Sequence, residues 1–134
     1  VLAVAYALIM LNLLFVRNRY FGDGFAYNLV PFETIKRYVL HRDAFNLDTW
    51  IKNLFGNVVL FVPIGIFFPL LNVKFISFWR LTAACLAVML TVETLQMLLR
   101  VGSFDIDDLI LNTAGAWIGW LLARWKLAQS NKLN

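Results

Sequence analysis

A small set of polar side chains carries the chemistry that this chain could do. Glu93, Gln96 and Arg100 stand at i, i+3 and i+7, and Asp105, Asp108 and Asn112 repeat that spacing shortly afterwards. Wound as α-helix, each triplet occupies one face within an arc of about 60°. Asn53 and Asn57, at i and i+4, add two amides that share a face. Carboxylates accept hydrogen bonds and protons, amides donate and accept, and a guanidinium clamps a phosphate or carboxylate with paired N–H bonds. These are the groups of a pocket that orients a polar head group.

Their setting makes them informative. They lie in or beside "VETLQMLLRVGSFDIDDLILNTAGAWIGWLLA", residues 91–123, which is otherwise strongly apolar. Asp105, Asp107 and Asp108 fall where a helix begins, and acids there cap free N–H groups and complement the helix dipole. For each of them alone, capping is the better explanation. Asp107 points about 200° away from Asp105 and is expected to matter little. Glu93 lies seven residues before Arg100, about 10 Å deeper along its helix. Unpaired in hydrocarbon, a carboxylate costs about 2.5–3.5 kcal/mol on insertion scales. Glu93 is therefore expected to pair with Arg100, or with Asn57 across helices, as the deepest polar element of the pocket.

The elements that must position these groups follow from composition. Of 134 residues, 61% are hydrophobic and 15% charged, and the mean hydropathy is +0.73. That is more apolar surface than a soluble domain of this length can enclose, so the chain belongs in a bilayer. A spanning helix takes about 20 apolar residues. Apolar segments run from Val1 to Val16, Trp50 to Leu71, Phe78 to Leu99 and Leu109 to Trp125, the last reaching full length only from about Asp105. The expected fold is all-α: a single domain over residues 1–134, with four transmembrane helices and a short amphipathic interfacial helix in the first connection. The chain begins with Val1 rather than Met, which suggests a truncated start. Arg17 and Arg19 after the first segment favour a span over a cleaved signal.

Four spans place the amino terminus, the Lys74 connection and the tail on one side of the membrane. The 17–50 connection and the 100–108 turn lie on the other. The first side carries Lys74, Arg80, Arg124, Lys126 and Lys132 and no acid. The other side carries more basic residues, but several of those lie mid-loop whereas these sit close to helix ends, which favours cytoplasmic termini. With Gly102 relaxing the turn, the third and fourth helices form a hairpin whose polar stripes face each other, level with Asn53 and Asn57. All the candidate polar groups then lie towards the outer membrane face.

Other features are weaker. Pro63, Gly65 and Pro69 in "NVVLFVPIGIFFPLL" can kink the second span. "YNLVPFETIKRYV" reads as a short amphipathic helix with Leu29, Val30, Phe32, Ile35, Tyr38 and Val39 on its apolar side. Cys85 and His41 are the only cysteine and the only histidine, and "DIDD" alone is a weak ligand set, so neither metal nor cofactor is expected. The net charge of +4 is scattered, with no basic run interleaved with aromatics, which argues against nucleic acid.

The ordered motifs "NLVPFETI", "NLFGNVVLFVPIGIFFP" and "ETLQMLLRVGSFDIDDLILNTAGAWIG" resemble the VanZ-like family over about residues 1–125. The match runs from Asn28, Pro31 and Phe32 through the glutamate, glutamine, arginine and aspartates to Asn112, Thr113, Gly115 and Gly119. The resemblance implies a bacterial multi-pass protein of the cytoplasmic membrane. The family's namesake is linked to resistance to teicoplanin, a lipid-tailed glycopeptide.

Two functions compete. In one, Asn53, Asn57, Glu93, Gln96, Arg100, Asp105, Asp108 and Asn112 bind an amphiphile: a membrane lipid, a lipid-linked precursor or the lipid-tailed antibiotic. In the other, Glu93 is the general base of a membrane enzyme acting on lipid head groups, with a divalent cation held by the aspartates. The sequence offers no nucleophile with an obvious base, which favours binding without turnover.

Overall fold

The computed structural model describes residues 2–17 and 24–130. Arg19 and Lys132, used above for flanking charge and sidedness, lie outside the described residues. The chain is mostly helical. Helix α1 (Leu2–Asn12) ends in a π-helical turn, Leu13–Arg17. Helix α2 (Glu33–Leu40) lies in the long first connection. Helix α3 (Leu47–Ile51), a second π-helical turn (Lys52–Gly56) and α4 (Asn57–Leu71) run on as one helix of 25 residues. Helices α5 (Phe78–Leu98) and α6 (Ile106–Ser130) complete the bundle. Two very short strands, β1 (Tyr27–Asn28) and β2 (Phe104–Asp105), pair in parallel, Asn28 opposite Asp105.

Leu47–Leu71 and Phe78–Leu98 are long and apolar enough to cross a membrane, whereas Leu2–Val16 is a shorter apolar helix. The start of the first long helix is set by Asn46, whose side chain accepts the Thr49 N–H at 2.8 Å. Helix α4 continues through Pro63 and Pro69. The irregularity lies upstream, at the π-helical turn, where an extra residue rotates all that follows by roughly 100°.

Helices α4 and α6 meet backbone to backbone. A Cβ on Gly115 would collide with the Val58 carbonyl, one on Gly119 with the Val62 carbonyl, and one on Gly65 with the Ala116 carbonyl. Gly115 and Gly119 form the small-xxx-small spacing that lets helices approach without intervening side chains. Helix α5 contributes a buried column of Leu81, Cys85, Met89, Glu93 and Gln96. At the far end of the bundle, Trp120 donates from Nε1 to the Ile76 carbonyl and Trp117 to Thr82 Oγ1, both at 3.0 Å. Phe78 packs against both indoles, tilted against Trp117 and edge-on to Trp120.

Helix α1 attaches through two polar ties. The Tyr6 hydroxyl donates to the Leu60 carbonyl, and Gln96 Nε2 donates to the Leu14 carbonyl at 2.7 Å. Leu14 lies in a π-helical turn, so the tie sits where regular helix pairing has already been relaxed.

The turn expected to depend on Gly102 is built differently. Leu99 ends α5, the Val101 N–H donates to the Gln96 carbonyl at 3.0 Å, and the Arg100 N–H donates to the Met97 carbonyl at 3.1 Å. This is a Schellman closure, and its left-handed residue is Arg100, at φ 56°. Gly102 instead packs close to α5, where a Cβ on it would lie 3.3 Å from Gln96 Cβ.

Candidate functional site

At the α5–α6 end of the bundle, carboxyl groups from two helices converge. Glu93 is 4% exposed and Asp107 is fully buried, while Asp105 lies at the edge of burial. Asp105 caps α6 by accepting the Asp107 N–H at 2.9 Å. The same carboxylate accepts from Asn28 Nδ2 at 3.3 Å and Thr34 Oγ1 at 2.7 Å. Its own N–H donates to Glu93 Oε2 at 3.2 Å. Asn57 donates from Nδ2 to Asp108 Oδ1, and Asn112 lies one turn deeper than Asp108 on the same face of α6.

The expected pairing of Glu93 with Arg100 or Asn57 is therefore not made: Glu93 holds the backbone of Asp105, and Asn57 holds Asp108. The physical reason is the left-handed residue at the end of α5. It breaks the helical phase at Arg100, so a spacing of i+7 no longer places the guanidinium above Glu93. Arg100 instead lies exposed, with its guanidinium 5.6 Å from the centre of the Phe25 ring.

Two other expected members point elsewhere. Asn53 donates to the Thr49 carbonyl of its own helix at 2.8 Å, so its amide N–H is used within the helix. Gln96, 6% exposed, is used by the α1 tie. Asn57, Glu93, Asp105, Asp108 and Asn112 remain as the cluster.

Asp107 was expected to matter little, yet its carboxylate fastens the first connection to the bundle. Oδ1 accepts the Phe32 N–H, and Oδ2 accepts the Ile35 N–H at 2.9 Å. It thus satisfies free donors at the start of α2 and complements that helix's positive end. Phe32 takes φ 65° at this junction. A helical wheel of α6 shows only that Asp107 faces away from Asp105; it cannot show that a distant segment fills that side. Asn28 and Thr34 were likewise missed as site residues, although "NLVPFETI" had stood out as a motif.

Helix α2 covers the cluster obliquely. Ile35 and Tyr38 are partly buried, whereas Leu29, Val30, Phe32 and Val39 remain exposed, so its expected apolar side is divided between the bundle and the surroundings. The Tyr38 carbonyl accepts from Trp50 Nε1 at 2.9 Å. Burial raises the Tyr38 phenol above its ordinary pKa, and the nearby Asp108 carboxylate adds to the effect.

Two further features adjoin the cluster. Asn112 Oδ1 and Thr113 Oγ1 are buried without a hydrogen-bond partner among the described residues. Between α1, α4 and α5 runs an apolar cleft of about 360 Å³ whose walls include Tyr6, Met10, Leu14, Phe61, Phe67 and Val92. Its Leu14 and Val92 end is level with Gln96 and Glu93.

Fold and site together define a helical protein with two helices of membrane-crossing length and an acidic cluster closed over by its first connection. The VanZ/LLP1 family description matches residues 2–127. The chain belongs to that family. It is 33% identical over 95 residues to Protein VanZ of Enterococcus faecium, covering 69% of this chain and 57% of that relative's length. No solved structure matches the chain.

Proposed function

We propose that this is a four-span protein of the bacterial cytoplasmic membrane, with both termini cytoplasmic and α2 at the outer interface. It binds an amphiphile with the polar part at Glu93, Asp108, Asn57 and Asn112 and the chain in the α1–α4–α5 cleft. The observation that carries this reading is the apolar cleft ending level with incompletely paired polar groups. Spanning by four helices, the shorter α1 included, is supported by apolar side chains left exposed around the bundle. Leu2, Leu71, Trp79 and Trp125 are each at least 65% exposed, a surface suited to lipid. Membership of the VanZ/LLP1 family supports a role in tolerance of lipid-tailed glycopeptides such as teicoplanin.

Binding without turnover is preferred to lipid hydrolysis. Asp105 and Asp107, which an Asp-bound cation would require, already accept from Asn28, Thr34 and backbone N–H groups. The test is native mass spectrometry of protein purified with its lipids, alongside Glu93→Gln. A bound amphiphile of constant mass, lost in a variant that melts at the wild-type temperature, is the expected result. Chelator-sensitive conversion of added lipid would overturn the preference for binding. Labelling of cysteines introduced at positions 74 and 130 from outside the cell would overturn the orientation.

A further inference from the structure

The cluster has a sign as well as a place. Glu93, Asp105, Asp107 and Asp108 bring carboxyl groups from α5 and α6 together, with Glu93 in coulombic range of both Asp105 and Asp108. Among the described residues no cation pairs with them: Arg37 is bonded to Glu33, Lys52 to Asp48, and Arg100 lies over Phe25. The amino end of α6 supplies about half a positive charge, too little to balance several carboxylates. An anionic head group would add to this repulsion.

The unused hydrogen-bonding capacity has a sign too. Asp105 and Asp107 each use both carboxylate oxygens, but only Oε2 of Glu93 and Oδ1 of Asp108 have partners among the described residues. Asn112, 3% exposed, adds the unpartnered Oδ1 one turn below Asp108. The vacant carboxylate and amide oxygens are acceptors; among them Asn112 Oδ1 is fully enclosed, beside Thr113 Oγ1, which can donate or accept. The complement is a positive group carrying several N–H donors. A primary ammonium has three donors and no acceptor. Asp108 and Asn57 are only partly buried, which leaves the site an open edge.

We propose that the group bound at Glu93, Asp108 and Asn112 is the primary ammonium of an amphiphile whose hydrocarbon chain occupies the α1–α4–α5 cleft. This rests on the amphiphile reading above and names the chemistry of its head. The cleft walls extend from Ala3 in α1 to Leu14 in the π-helical turn that follows it, about 16 Å at 1.5 Å per residue, which suits a single alkyl chain.

The experiment titrates purified protein in a non-ionic detergent with dodecylamine, dodecyltrimethylammonium, dodecyl phosphate, dodecanol and ethylamine, read by native mass spectrometry and calorimetry. Dodecylamine should bind one to one and at least tenfold more tightly than dodecyl phosphate or dodecanol. The trimethylated analogue, with charge but no donor, should fall in between. Ethylamine, with the head but no tail, should bind at least a hundredfold more weakly than dodecylamine. Glu93→Gln and Asp108→Asn should each weaken dodecylamine at least tenfold, and Arg100→Gln should not weaken it. The wild-type ranking stands even where a variant fails to fold. Dodecyl phosphate binding as tightly as the amine would overturn the ammonium assignment and leave the amphiphile reading intact. Failure of all the dodecyl probes to bind would overturn both. Ethylamine or calcium alone binding as tightly as dodecylamine would overturn the alkyl-ammonium assignment.

Discussion

Asp107→Asn tests how the first connection is held to the bundle. The wild-type carboxylate is fully buried and accepts two backbone N–H groups, from Phe32 and Ile35. An asparagine keeps one acceptor oxygen and turns its NH2 towards the other donor. The loss is one hydrogen bond to a charged group, about 1.5–3 kcal/mol, with a buried N–H left facing a second donor. Together these cost about 2–4 kcal/mol, and Asp107→Ala, which removes both bonds, about 3–5 kcal/mol. Helices α4, α5 and α6 keep their own contacts when α2 leaves, so the cost falls on local opening of the segment around α2. Amide exchange at Phe32 and Ile35 should accelerate on the order of 100-fold in Asp107→Asn, since about 1.4 kcal/mol corresponds to a factor of ten. Tryptic cleavage at Lys36 and Arg37 should accelerate in parallel. Asp48→Asn, which removes an exposed i,i+4 pair with Lys52 and an acid in the first turn of α3, is the control and should change stability by less than about 1 kcal/mol. Exchange within threefold of wild type in Asp107→Asn, with unchanged melting, would refute the account of how α2 is docked.

Gly115→Ala and Gly119→Ala should each destabilise the α4–α6 pair by more than about 2 kcal/mol, because the added Cβ meets a backbone carbonyl that cannot turn aside; thermal unfolding in detergent measures this. Arg100→Gly should raise stability by about 0.5–1 kcal/mol, since glycine adopts φ 56° without strain, and a lowered melting temperature would contradict it. Gln96→Leu should cost about 1 kcal/mol and selectively loosen α1, seen as faster labelling of a cysteine introduced at Met10.

The sequence by itself determined the helices and their polar stretches. Runs of apolar residues marked the two helices of membrane-crossing length, and the acids after Val101 marked the start of α6, where Asp105 caps the helix as expected. The motif order also carried the family resemblance, and the family match covers nearly the whole chain. These features are local or periodic, so they are legible in one dimension.

Tertiary structure decided which polar groups meet. Asn53 was spent on the Thr49 carbonyl of its own helix, and the left-handed Arg100 removed the guanidinium from the Glu93 face. Gln96 was drawn to the Leu14 carbonyl, and Asp107 was buried under a segment more than seventy residues distant in sequence. A helical wheel assumes unbroken 3.6-residue phase and sees one helix at a time. One irregular residue rotates every side chain beyond it by about 100°, and a buried donor on another segment redirects any acceptor within reach.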